Sequence, residues 1–305
     1  MIFMSDIMKK QFYQKRLDFE RMSAFFDSQH SMPEDVVEEK NIAYLPDAKN
    51  VHELDVFYPV RSVKQPIPVM VNIHGGGLLI GNKEFNRFFC AHFSELGYLV
   101  FSVEYPLVPD CQVYDQFAAI AAALKYIKEH LSEYHGDPDR IYGTADSGGA
   151  YLLAYVSAMS GCQKLADAAK VTAPDLHFNA IGLISAMFYT TKLDKIGLFL
   201  PPYLYGKHYK KGPFAPYINP EHPDLVTALP PCFLVTSECD YLKRYSMQFE
   251  RALSRHNVPH KLLCFPKDKR LPHAFSVFKP DLPESRDAIN TIHSFFLEHA
   301  DRSCS

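Results

Sequence analysis

Five residues, Ala145-Asp146-Ser147-Gly148-Gly149, join a strand-like run, Arg140 to Thr144, to a helix-like run, Ala150 to Val156. So short a connection turns the chain from strand directly into helix. It is open only to sequences with tiny side chains flanking the apex, because larger ones collide with the neighbouring strand or helix. A serine at the apex is the pattern of a nucleophile elbow. The usual signature has glycine at both flanks, and Ala145 stands at the first. Taken alone, the stretch reads first as a plain Ser-Gly helix start.

The order of elements around it narrows the fold. Residues 1 to about 30 read as an amphipathic helix, with Phe12, Leu17, Phe19, Met22, Phe25 and Phe26 among charged residues. Strands follow at Val36–Tyr44 and Val51–Tyr58, and the second alternates as in a half-exposed antiparallel strand. Val69 to Ile73 is an unbroken apolar run and ends in His74-Gly75-Gly76-Gly77. A helix over about 85–96, a buried strand over 98–103 and a Pro-rich loop come next. Asp115 reads as the N-cap of an Ala-rich helix that runs to about Leu131. Gly136 to Pro138 close that unit before the strand leading to Ser147. Beyond the elbow lie a strand at Leu176–Ser185, an aromatic and Pro-rich insertion over about 186–229, and a strand at Cys232–Thr236. A helix at about 242–256, a strand at 261–265 and a helix at about 285–299 complete the chain. Strand–helix alternation of this kind predicts a mostly parallel sheet with helices on both faces, in one α/β domain spanning residues 1–305. The insertion is either a packed surface excursion or a lid, and a long insertion on the side of the catalytic loops favours the lid.

Composition removes several classes of function. At 47% hydrophobic, 22% charged and a formal charge of -3, the chain offers nothing to draw it to nucleic acid or, in general, to anionic membranes. No apolar run is long enough to cross a bilayer, and Lys9, Lys10, Lys15 and Arg16 interrupt the N-terminus, which has no signal core. Seven scattered cysteines without a Cys-x-x-Cys pair suggest neither a disulfide framework nor a zinc site. The expectation is a cytoplasmic protein with reduced thiols and no stable membrane association.

Ester hydrolysis by serine needs a base for the hydroxyl proton, a carboxylate to orient that base, and donors for the tetrahedral oxyanion. The chain supplies each where open α/β sheets place their sites, at the C-terminal ends of strands. Asp240 follows the strand at 232–236, and His273 follows the strand at 261–265. Three glycines after a buried strand leave backbone N–H groups able to approach a ligand closely. They do not form a phosphate loop, which needs Gly-x-Gly-x-x-Gly or a terminal Gly-Lys-Ser/Thr. The order Ser147, Asp240, His273 is that of α/β-hydrolases. Alone, Asp240 reads as a helix N-cap and His273 as a solvated loop residue. Their joint placement argues otherwise.

From about residue 40 to the last helix, the sequence resembles the hormone-sensitive-lipase-like (HGGG) branch of the α/β-hydrolases. His74-Gly75-Gly76-Gly77 matches the motif after that family's third strand. Ala145-Asp146-Ser147-Gly148-Gly149-Ala150 stands where the family carries Gly-Asp-Ser-Ala-Gly-Gly. Asp240-Tyr241-Leu242 matches Asp-x-Leu, His273-Ala274-Phe275 matches His-Gly-Phe, and Leu229-Pro230-Pro231 also agrees. The resemblance implies an eight-stranded α/β-hydrolase fold, with a cap built from about 1–35 and 186–229. It implies Ser147 as nucleophile, His273 as general base and then acid, and Asp240 as orienting carboxylate. It implies Gly75, Gly76 and Gly148 as oxyanion donors, and His74 as a residue that shapes its loop. The expected activity is a carboxylesterase on short acyl esters of small molecules, passing through an acyl-enzyme and requiring no cofactor or metal. The oligomeric state stays open, a homodimer included.

Two alternatives stand beside it: an amidase or peptidase on the same fold, and a non-catalytic ligand-binding homologue. The family supplies a plant hormone receptor lacking the catalytic histidine, and this chain retains His273. The chain departs from the family at Ala145, at the Gly148-Gly149-Ala150 order and after Tyr105. There, Pro106-Leu107-Val108-Pro109 replaces Arg-Leu-Ala-Pro and removes an arginine that would form an ion pair. The charges Lys267, Lys269 and Arg270 before His273 read as solvated loop charge rather than an anion site.

Overall fold

The computed structural model describes residues 2–46, 51–60 and 65–300, with side chains described from residue 8 onward. The N-terminal helix α1 (Ile2–Gln29) leads to β1 (Val36–Ala43), β2 (Glu53–Pro59) and β3 (Ile67–Ile73). Then follow α2 (Arg87–Glu95), β4 (Leu99–Val103), α3 (Val113–His130), β5 (Gly136–Asp146), α4 (Ser147–Gly161) and α5 (Gln163–Ala169). After β6 (Ala180–Ile184) come the short helices α6 (Lys195–Phe199), α7 (Pro201–Tyr205) and α8 (Pro223–Val226). The chain closes with β7 (Cys232–Ser237), α9 (Lys243–Arg255), β8 (His260–Phe265), α10 (Phe275–Phe278) and α11 (Pro283–Glu298).

The eight strands form one sheet in the order β1-β2-β4-β3-β5-β6-β7-β8. The two pairings of β2, with β1 and with β4, are antiparallel, and every other pairing is parallel. Strand periodicity divides the apolar side chains between two faces. Val69, Val71 and Ile73 of β3 join a core with α3, α4 and α9. Met70 of the same strand joins the opposite core with α2 and α11. Helices on both faces explain why the central strands read as continuous apolar runs rather than alternating ones. Among the described residues, no helix is long and apolar enough to cross a membrane.

Several local expectations need correction. β2 is not half exposed: it lies between β1 and β4, and Asp55 is fully buried against Lys83 at 3.2 Å. β5 begins at Gly136, which pairs with Ile67, so Asp137 and Pro138 belong to the strand rather than the turn before it. β6 begins at Ala180 because the side chain of Asn179 takes over the ladder, accepting from Ile141 N at 2.9 Å. Asp115 is not the N-cap of α3. It sits one turn inside, and its carboxylate accepts from the backbone N–H of the capping residue, Gln112, at 2.8 Å.

The N-terminal helix buries one stripe only. Phe12 meets Tyr203 of α7 at 5.3 Å, Phe19 meets Phe85 at 4.3 Å, and Phe26 packs on Phe85 and Phe88 at 5.7 Å. These three phenylalanines are seven residues apart, two helical turns, and so share a face. Leu17, Met22 and Phe25 face solvent. Arg16 reaches the loop that lost the expected arginine: it donates to Leu79 O at 2.7 Å and Val108 O at 2.7 Å, and pairs with Asp110 at 2.6 Å. The guanidinium missing after Tyr105 is thus supplied from another element.

Candidate active site

The elbow forms because β5 ends at Asp146 and α4 begins at Ser147 with no intervening loop. Ser147 has a φ of 48°, the left-handed region that costs a side-chain-bearing residue energy and is held only by surrounding structure. Gly149 is what lets the helix dock so closely. A Cβ there would lie 2.3 Å from the backbone oxygens of Ile73 and His74. Ala145 is buried in the strand, and its methyl is part of the core.

Three strand ends deliver the other groups. Ser147 Oγ lies 2.9 Å from His273 Nε2, and His273 Nδ1 lies 2.8 Å from Asp240 Oδ1. Asp240 follows β7 and is further fixed by Leu242 N, donating at 2.8 Å, and Thr236 Oγ1, donating at 2.9 Å. Burial pushes its carboxyl up, but the hydrogen bond and charge of His273, with the Leu242 amide, outweigh this and hold it below the ordinary carboxylate value. The histidine loop is tied to two neighbouring strand ends. Ser237 Oγ donates to Leu271 O at 2.6 Å, and Ala274 N donates to Ser185 Oγ at 3.0 Å. The Tyr241 ring lies over His273 with centroids 4.3 Å apart. The chain places Ser147, His273 and Asp240 together as the sequence predicts.

The glycine loop requires one correction. The amide of Gly75 donates to Asp146 Oδ1 at 2.9 Å, so it is already committed and does not face a substrate. The amides of Gly76 and Gly77 donate to no acceptor among the described residues. Gly148 lies against the Gly77 backbone, and its amide belongs to the first turn of α4, where N–H groups have no intrahelical acceptor. Gly76, Gly77 and Gly148 therefore hold amides beside the elbow that no protein acceptor takes up, whereas that of Gly75 is taken by Asp146. The clue in the sequence was Asp146 itself, an acid buried beside the elbow that needs a donor.

His74 shapes the loop, as expected. It is buried, its Nδ1 is 2.8 Å from Gly75 O, and its Nε2 is 3.1 Å from Glu104. Its ring stacks on Tyr105 with centroids 4.3 Å apart, and the Tyr105 hydroxyl donates to His74 O at 2.7 Å. Burial lowers the proton affinity of this imidazole, but the charge and hydrogen bond of Glu104 raise it above the ordinary value. Asp146 is also buried, accepts from Asn86 Nδ2 at 2.9 Å as well as from Gly75, and has one oxygen unpartnered. Burial dominates there and pushes its pKa up despite those two donors. Glu104, Asn86 and Tyr241 are supports that sequence reading did not single out. Before the histidine, Arg270 is held by Asp268 of the same loop at 2.7 Å and by Glu284 of α11 at 2.6 Å. No metal-ligating cluster occurs among the described residues.

A serine backed by an imidazole and a carboxylate at the C-terminal edge of a doubly covered sheet is the equipment of a hydrolase working through its own side chains. Residues 70–276 match the family model described as alpha/beta hydrolase fold, and the chain belongs to that family, among its esterases and lipases. It is 26% identical over 246 residues to versiconal hemiacetal acetate esterase of Dothistroma septosporum, a match covering 75% of this chain and 72% of that one. It is 25% identical over 238 residues to acetyl esterase of Salmonella schwarzengrund, covering 75% and 72%. A probable isoprenylcysteine alpha-carbonyl methylesterase of Arabidopsis thaliana is 25% identical over 237 residues, and the match spans 49% of that longer protein. The crystal structure of esterase B from Lactobacillus rhamnosis superposes with a TM-score of 0.88 at 22% identity, covering 97% of this chain and 96% of that one.

Proposed function

We propose that the protein is a serine carboxylesterase for short-chain acyl esters of small molecules. The observation that carries this reading is the unbroken relay from Ser147 Oγ through His273 to Asp240, at 2.9 and 2.8 Å. His273 takes the hydroxyl proton as Ser147 attacks the acyl carbon. Asp240 holds the imidazole in the tautomer that accepts and then stabilises its charge. The tetrahedral oxyanion is met by the amides of Gly76, Gly77 and Gly148, aided by the N-terminus of α4. Collapse expels the alcohol, which takes its proton from His273 Nε2. Water then repeats the sequence on the acyl-enzyme.

The acyl preference draws on the relatives, an acetate esterase and an acetyl esterase, and on a solved esterase B inhibited by a tributyrin phosphonate. The cap of about 1–35 and 186–229 is supported by the Phe12–Tyr203 contact between α1 and α7. The six described cysteines are free thiols, which fits the reducing cytoplasm.

A series of 4-nitrophenyl esters from acetate to laurate, with matched anilides, tests the reading. Acetate and butyrate should give the highest kcat/KM, anilides little turnover, and Ser147→Ala should lower kcat by about 10⁵-fold or more. Turnover that survives Ser147→Ala overturns the mechanism. A steep rise beyond octanoate overturns the short-chain assignment.

A further inference from the structure

We propose that the cap segment 192–211 docks the protein reversibly on an anionic lipid surface. The segment holds five lysines and one acid, in a chain whose formal charge is -3. Its one acid is turned inward: Asp194 caps α6, accepting from Ile196 N at 3.0 Å and Gly197 N at 3.1 Å, and also accepts from the Tyr245 hydroxyl. Lys192 is spent within the protein as well, bonded to Gln248 and lying 4.0 Å from the centre of the Tyr189 ring. Lys195, Lys207, Lys210 and Lys211 are exposed and join no ion pair among the described residues, Lys210 lying only beside the Tyr209 ring at 5.8 Å. These inward anchors present three large apolar side chains to solvent: Leu193 at 96% exposure, Leu198 at 61% and Phe199 at 52%.

The chemistry of the occupant follows from that mixture. Protein–protein interfaces are depleted in lysine, so a segment that exposes isolated apolar tips together with four lysines makes a poor protein interface. A headgroup layer suits both components, since phosphates meet the ammonium groups while apolar side chains enter the acyl boundary. The charge of the whole chain argues only against general attraction. A local cluster acts within a Debye length, about 8–10 Å in physiological salt, and is not cancelled by acids on the far side of the molecule.

Co-sedimentation of the full chain with phosphatidylcholine vesicles, with and without about 30% phosphatidylserine, tests this independently of any esterase activity. The partition coefficient should be at least about tenfold higher on the anionic vesicles and should collapse toward the neutral value in about 0.5 M salt. The quadruple variant Lys195→Glu, Lys207→Glu, Lys210→Glu, Lys211→Glu should lose the binding. So should Leu193→Ser, a change at a side chain almost wholly in solvent that leaves charge and packing intact. Absence of binding, equal binding to neutral vesicles, or variants that bind like the parent would overturn the proposal. A fall in solution mass on Leu193→Ser, read by light scattering, would also overturn it and assign the face to a second copy of the chain.

Discussion

Replacing Gly148 by alanine probes the distance between the elbow and the glycine loop, on which the oxyanion donors depend. The related family carries alanine at this position, so the substitution is chemically mild. In this structure, however, the added Cβ would lie 2.9 Å from Leu78 N and 3.0 Å from both Gly77 N and Gly77 Cα. All three are backbone atoms and cannot rotate aside. Ordinary contact begins near 3.5 Å, so loop and elbow must part by about 0.5 Å. Oxyanion donors work within about 2.7–3.1 Å of the developing charge, and removing one outright costs about 10²–10³ in kcat. A shift of that size carries one donor to the edge of the window. The expected loss is roughly 10- to 100-fold in kcat, with KM nearly unchanged, because the ground-state carbonyl uses these donors less than the transition state does. Steady-state kinetics on 4-nitrophenyl acetate reads it, with circular dichroism to confirm the fold. Gly149→Ala is the contrasting control. Its Cβ would sit 2.3 Å from two carbonyl oxygens beneath the helix, so that variant should lose folded protein rather than rate. A folded Gly148→Ala enzyme within about twofold of the parent kcat would refute the claim that this gap positions the donors.

Three further outcomes follow from single residues. Ala274, next to His273, sits at φ 52°, which costs an alanine about 1–2 kcal/mol, while glycine loses about 0.5–1 kcal/mol more chain entropy on folding. Ala274 is also fully buried, and the lost methyl costs about 0.8 kcal/mol, so Ala274→Gly should leave the urea midpoint within the equivalent of about 1 kcal/mol of the parent, and a loss above about 2 kcal/mol would contradict the strain. Burial holds Asp146 above its ordinary pKa, so the folded chain keeps this proton where the unfolded chain has released it. Its contribution to stability is full below about pH 3.9 and declines as pH rises toward the folded-state value. The unfolding free energy of Asp146→Asn minus that of the parent should thus grow as pH is raised from about 4, and a flat difference would mean that Asp146 stays ionised. The Tyr241 ring over His273 favours the imidazolium formed during attack, by about 0.5–1 kcal/mol for an exposed cation–π contact. Tyr241→Ala should lower kcat/KM about two- to fivefold and Tyr241→Phe should not; equal losses would assign the effect to the hydroxyl.

Much of the site was legible because its groups stand at strand ends, which apolar runs and glycines mark in the sequence. Ser147, Asp240 and His273 each follow such a run, and the structure joins them through hydrogen bonds spanning 126 and 33 residues. What sequence reading missed depends on where a single side chain turns. Gly75 and Gly77 are indistinguishable as neighbouring glycines. Only the Asp146 carboxylate, 71 residues away, takes up the amide of one of them. Asp55 reads as the outward residue of an alternating strand, and its burial follows from Lys83 arriving as a partner. The short helices of the insertion have no periodicity of their own to announce them. α6 is instead held by the Asp194 cap and the aromatic anchors behind it.

The contacts of Arg16 tie these observations together. The loop after Tyr105 lacks the arginine that the family motif leads one to expect, yet its carbonyls are not left bare: Arg16 donates to Leu107 O at 3.0 Å and Val108 O at 2.7 Å. The same guanidinium bonds Leu79 O at 2.7 Å, just beyond Gly75, Gly76 and Gly77. Moving the positive charge from the loop to α1 makes one side chain serve two loops. Phe12 links that helix in turn to Tyr203 in the insertion, whose exposed lysines and apolar tips face outward. A chain of direct contacts therefore runs from the insertion through α7 and α1 to the loop that follows the glycines.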